Sequence, residues 1–132
     1  MLIVEVRDTG ETKTRNWRFV GADYYISHML GRCWLGMRSE DLLVSARWLK
    51  EQQGAESVLL IADGEIGPAA LHAAALEPQL ISTTEVKNSL ASWRELVAST
   101  DAHSHLHNAV QNGLRYYDLP DLKKLGQNDA KP

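Results

Sequence analysis

Ser57-Val58-Leu59-Leu60-Ile61-Ala62 is an unbroken apolar run rich in branched side chains, and Asp63-Gly64 ends it. Such a run predicts a strand buried on both faces. Pro68 follows almost at once, where a missing amide proton costs a helix nothing. Ala69, Ala70, Leu71, Ala73, Ala74, Ala75 and Leu76 then supply high helix propensity until Pro78. A strand that turns sharply into a helix is half of a crossover unit, and such units build parallel sheets.

The rest of the chain fits that pattern. Leu2 to Val6 is a short β-prone run closed by the turn cluster Asp8-Thr9-Gly10-Glu11-Thr12, which predicts a strand over 2–7. Tyr24, Tyr25, Ile26, Met29 and Leu30 recur at helical spacing from Ala22 until Gly31. Ser39 can cap a helix over 39–53, with Glu40 and Asp41 at its positive end and Gly54 as its stop. Leu80 to Val86 predicts a further strand, with Thr83, Thr84 and Glu85 making one side polar. Helices are expected around Leu90, Trp93 and Leu96 and again over 108–114, and Lys123 to Pro132 reads as a frayed tail. The expectation is an α/β fold, three-layer, with a mostly parallel sheet flanked by helices, in one domain over 1–122 followed by a flexible tail over 123–132.

Composition narrows the function. The 132 residues suffice for one core, 44% are apolar and 23% charged, the balance of an ordinary globular chain. Fourteen Lys plus Arg against 17 Asp plus Glu give a net charge of −3, with no basic surface for a phosphate backbone, so nucleic acid is not an expected partner. No apolar stretch approaches a bilayer span. Cys33 is the only cysteine, and no basic segment precedes the apolar N-terminal residues, a pattern that fits a cytoplasmic protein better than a secreted one.

Four motifs in order carry a resemblance. They are Arg7-Asp8-Thr9-Gly10-Glu11-Thr12, then Leu30-Gly31-Arg32 with Leu35-Gly36-Met37-Arg38, then Gly64-Glu65-Ile66-Gly67-Pro68-Ala69-Ala70-Leu71, and last Tyr117-Asp118-Leu119-Pro120-Asp121-Leu122. Together they resemble the acetyl-xylan-esterase-like group of the α/β hydrolases over residues 1 to 122. The resemblance implies a nucleophile elbow at the turn after the central strand. It also implies further strands before residue 1 and after Leu122, so that the chain corresponds to the middle of such a hydrolase. The ligand class it implies is a small ester or a carbohydrate, and it implies no cofactor.

An esterase of this fold attacks with a serine at the centre of Gly-x-Ser-x-Gly. Here Gly64 takes the serine's place within the degenerate elbow Asp63, Gly64, Glu65 and Gly67, and glycine has no nucleophile. A register one residue earlier makes Asp63 the candidate nucleophile, but Ile61 and Glu65 then stand where small residues are needed. The same glycines could cradle a phosphate at a helix start, against which Asp63 and Glu65 argue by repulsion. His103, His105 and His107 would present their rings on one face if extended, with Asp101 adding an oxygen, so a zinc or nickel site is the alternative to a solvated loop there. Trp17, Trp34, Trp48 and Trp93 read as packing anchors, and Asp8 and Glu11 as turn residues.

Two functions follow as expectations. The first is a partial, non-catalytic α/β-hydrolase-like protein acting by binding or assembly. The second is a hydrolase of carboxylic esters with a non-standard site, such as Asp63 with one of the three histidines, or a site completed by another chain. Because the implied sheet leaves edges and helix faces uncovered, self-association as a homo-oligomer, most simply a dimer burying a sheet edge or the helix faces around Leu42, Trp48 and Trp93, is the expected partnership.

Overall fold

The computed structural model describes residues 1–13, 22–99 and 103–128. In chain order the regular elements are α1 (Ala22–Met29), α2 (Trp34–Gln53), β1 (Val58–Asp63), α3 (Gly67–Leu76), β2 (Ile81–Lys87), α4 (Trp93–Ala98) and α5 (Leu119–Asn128). Short 3-10 turns cover Gly10–Thr12, Gly64–Ile66, His103–Asn108 and Gly113–Arg115. The fold is mixed α/β, with β1 and β2 as parallel neighbours in a two-stranded sheet flanked by helices. The register runs from Leu59 opposite Thr83 to Asp63 opposite Lys87, after an irregularity between Val58 and Leu59.

The central unit forms as the sequence predicts. α3 presents Ala69, Ala70, Ala73 and Ala74, all buried, to α2 and to the sheet. Methyl groups let these surfaces come close, so that Ser39 Oγ reaches the carbonyl of Ala69 at 3.1 Å. Leu42, Leu43 and Ala46 of α2 close the same core over Val58, Ala62 and Ile81. A second cluster forms where Leu71, Trp93, Leu119 and Leu122 meet. Leu42 and Trp93, expected at a dimer face, are therefore inside the chain's own core, and Trp48 alone of those three is exposed.

Five expectations need correction. β1 is covered on one face only: Val58 and Ala62 point into the core, whereas Leu59 and Ile61 are 53% and 57% exposed beside exposed Thr83 and Glu85. Leu2 to Val6 forms no strand, because a β-prone run needs a ladder to join; the segment is held at its end, by buried Val6 and by the Arg7 fork on Asp41. α2 begins at Trp34 rather than Ser39, and Ser39 sits inside it with its hydroxyl donating back to the Leu35 carbonyl at 3.0 Å. Residues 108–114 are not a helix, because the 3-10 turn ends at Asn108 and Asn112 takes a left-handed backbone. Finally, residues 123–128 of the expected tail belong to α5, and 129–132 lie outside the described residues.

The start of α5 has a clear cause. Asp118 accepts from the Leu119 amide at 2.7 Å, from the Trp93 amide at 2.8 Å and from Ser92 Oγ at 2.5 Å, so one carboxylate caps two helices. Burial alone would raise its pKa, but these donors hold it below the ordinary carboxylate value. Pro120 then stands in the first turn, where it fits.

Candidate functional site

In parallel α/β folds, ligands gather at the carboxyl ends of strands. At the end of β1 the chain turns through Gly64, whose φ of +68° lies in the left-handed region. A β-carbon built on Gly64 would meet nothing within 4 Å. Gly67 differs: its β-carbon would fall on Ser89 Oγ and 2.5 Å from Val86 Cγ1, so the close packing of α3 against the end of β2 requires glycine there. Asp63 is exposed, and Asn88 Nδ2 donates to its carboxylate at 3.2 Å.

Glu65 connects this turn to a buried guanidinium. Arg38 is 0% exposed, with Nη1 2.6 Å from Glu65 Oε1, while Nε donates to the Arg7 carbonyl at 3.3 Å and Nη2 to the Asp8 carbonyl at 3.5 Å. From the other side, Asn108 Nδ2 donates to the Glu65 carbonyl at 2.9 Å, and Trp93 Nε1 donates to the Asn108 carbonyl at 2.9 Å. The loop after Val6, the turn after β1 and the 3-10 turn at 103–108 are thus tied together through backbone oxygens and the Glu65 carboxylate.

Beside this junction, His107 Nε2 lies 3.0 Å from both carboxylate oxygens of Asp23, and the Trp34 ring packs on the imidazole with centroids 5.5 Å apart. Burial would raise the Asp23 pKa, but His107 and the Tyr24 amide bring it below the ordinary value. Asp8 completes the group, with one ligand-type atom from each of Asp8, Asp23 and His107 lying within 4.8 Å of the others. Asp8 and Asp23 also line a cavity of about 560 Å³ whose other walls include Ile26, Leu30, Trp34 and Met37. Trp34 Nε1 is buried there without a hydrogen-bond partner.

The histidine comb does not form. Residues 103–108 are 3-10 turns broken by a kink at His105 (φ −116°, ψ 19°) rather than an extended strand, so the geometry that would align the rings is absent. His107 turns to Asp23, and His105 Nδ1 is buried without a partner. The His103 side chain, Asp101 and Trp17 lie outside the described residues.

His72, on α3, is held apart from the elbow chemistry. Its Nδ1 donates to the Pro68 carbonyl at 2.7 Å, which leaves Nε2 to accept from the Tyr117 hydroxyl at 2.9 Å. Burial lowers its pKa, and the Pro68 carbonyl offsets this only in part. The folded value is therefore depressed, so the unfolded chain takes up the proton first. The resulting stability is intact above the ordinary value of 6.5 and is lost as the pH falls from there through the folded value. Urea denaturation from pH 7.5 to 5 should show this decline, with a slope of at most about 1.4 kcal/mol per pH unit for one proton, and His72→Gln should flatten it. An unchanged slope in the variant would assign the decline to another group.

Arg38, Asp8 and Asp23 are residues of the candidate site that sequence reasoning missed. Arg38 carried a readable signal, since it falls at helical spacing on the face that Leu35, Leu42 and Ala46 of α2 form. Asp8 and Asp23 carried none, because only the tertiary fold brings them to His107. Among the described residues, no helix is long and apolar enough to cross a membrane. Comparison of the chain with protein-family models, with curated proteins and with solved structures gives no match.

Proposed function

We propose that this chain is a non-catalytic α/β-hydrolase-like module that acts by binding or assembly. One observation carries the reading: the tip of the strand-to-helix turn has the left-handed backbone of an elbow but is occupied by Gly64, with open space where a nucleophile would stand. The chemistry around it agrees, because Asp63 is paired with Asn88, and His72 and His107 are engaged by Pro68, Tyr117 and Asp23. In this reading β1 and β2 belong to a three-layer, mostly parallel sheet. The uncovered face of Leu59 and Ile61 is where a second copy adds the missing layer, giving a homodimer.

Purified protein should release acetate from an activated acetate ester no faster than its Asp63→Asn variant. Gly64→Ser should fold with a loss of about 1–2 kcal/mol from the left-handed backbone and should gain no turnover. Light scattering across a dilution series should show a dimer that dissociates on dilution. Turnover by the unmodified chain that disappears in Asp63→Asn would instead establish an ester hydrolase with an aspartate nucleophile, and a monomer at every concentration would remove the assembly role.

A further inference from the structure

We infer that Asp8, Asp23 and His107 form a binding site for a first-row divalent cation, with Mn²⁺ and Zn²⁺ as the ions that suit it. The three donors come from three separate segments: the loop after Val6, the first turn of α1 and the 3-10 turn at 103–108. Their ligand-type atoms lie within 4.8 Å of one another, a spread that one central ion bound at about 2.0–2.2 Å to each can span with small side-chain shifts. Two carboxylates and an imidazole within this span offer a dication both donor atoms and negative charge. An imidazole with two carboxylates is a borderline-to-hard set, suited to Mn²⁺, Fe²⁺ or Zn²⁺ rather than to a soft ion.

The donors are also held from behind. The Tyr24 amide donates to Asp23 Oδ1 at 3.0 Å, the Trp34 indole packs on the His107 ring, and Arg38 fixes the backbone of the loop through the carbonyls of Arg7 and Asp8. Such outer contacts orient ligands before the ion arrives. A cation would take the place between His107 Nε2 and Asp23, 3.0 Å apart, with the imidazole bound in its neutral form and its remaining proton on Nδ1. Three protein ligands leave coordination positions open, and the cavity that Asp8 and Asp23 line supplies room for water or another oxygen donor there.

The test is calorimetric titration of chelator-treated protein with MnCl2 and, separately, ZnCl2. One ion per chain is expected for each metal, together with a rise in melting temperature of about 5–10 °C when the metal is at a hundred times its Kd. Asp8→Asn and His107→Gln should each weaken binding at least about tenfold. Asp8→Asn changes one loop residue, so circular dichroism should confirm that this variant keeps the fold even if His107→Gln does not. His105→Gln should leave the titration unchanged. Absence of saturable binding, or binding insensitive to Asp8→Asn in a folded protein, overturns the site. Loss of binding in His105→Gln with Asp8→Asn unaffected overturns it as well and moves the metal to the neighbouring histidines.

Discussion

Gly67→Ala is expected to destabilise the protein by roughly 3 kcal/mol, at the top of the usual range for overpacking. The sign is not trivial. Gly67 has helical backbone angles of φ −51° and ψ −47°, so alanine's higher helix propensity favours the change by about 1 kcal/mol. Packing opposes it, because the new methyl meets Ser89 Oγ, Ser89 Cβ at 2.6 Å and Val86 Cγ1 at 2.5 Å. Relief requires α3 to move away from the end of β2, and that movement disturbs the buried alanine contacts of the same helix. Gly64→Ala supplies the control: its β-carbon enters open space, and only the left-handed φ of +68° costs, about 1–2 kcal/mol. Urea midpoints should place Gly67→Ala well below Gly64→Ala. The reverse order would mean that α3 does not pack closely against Ser89.

The second large effect belongs to Arg38 and Glu65. Glu65→Gln leaves a guanidinium that is 0% exposed without its carboxylate, and stranding a buried charge typically costs about 3–5 kcal/mol. The Glu65 side chain is itself 44% exposed, so solvent screens the pair and the lower figure, about 3 kcal/mol, is the expected loss. Arg38→Met should cost a similar amount for a different reason: the carbonyls of Arg7 and Asp8 lose their donor, while Glu65 turns into water. Since the two variants remove one interaction, the double variant should recover about 1–2 kcal/mol relative to the sum. Strict additivity in denaturant unfolding would show that Arg38 is held by packing and carbonyls alone.

What the sequence disclosed follows the range of the forces involved. The β1 run, Pro68 and the alanine series specify a strand, a turn and a helix within a few residues, and the structure has all three in place. Gly54 likewise ends α2 in a left-handed conformation, as its position suggests. The N-terminal β-prone run shows the limit, because strand structure needs a partner that propensity cannot name. At the other end, Asp118-Leu119-Pro120-Asp121-Leu122 starts a helix through a carboxylate that reaches Ser92 and Trp93 far away in the chain. The cluster of Asp8, Asp23 and His107 was illegible as a set for the same reason: Asp8 sits in a turn motif and His107 in the histidine series, but only the tertiary fold brings both to Asp23.

A guanidinium that grips carbonyl oxygens does not read side chains. Arg38 therefore fixes where the backbone passes at positions 7 and 8 through their carbonyls, and the identity of residue 8 is limited instead by its left-handed φ of +58°. Path and chemistry are separable at that point. The loop behaves as a socket with a narrow choice of donor: residue 8 has a left-handed backbone that asparagine tolerates as aspartate does, so Asp8→Asn inherits the same backbone placement and differs in what it offers the cavity. Selection, or a designer, can retune the charge and ligand character of this end of the sheet one residue at a time, without renegotiating the fold that presents it.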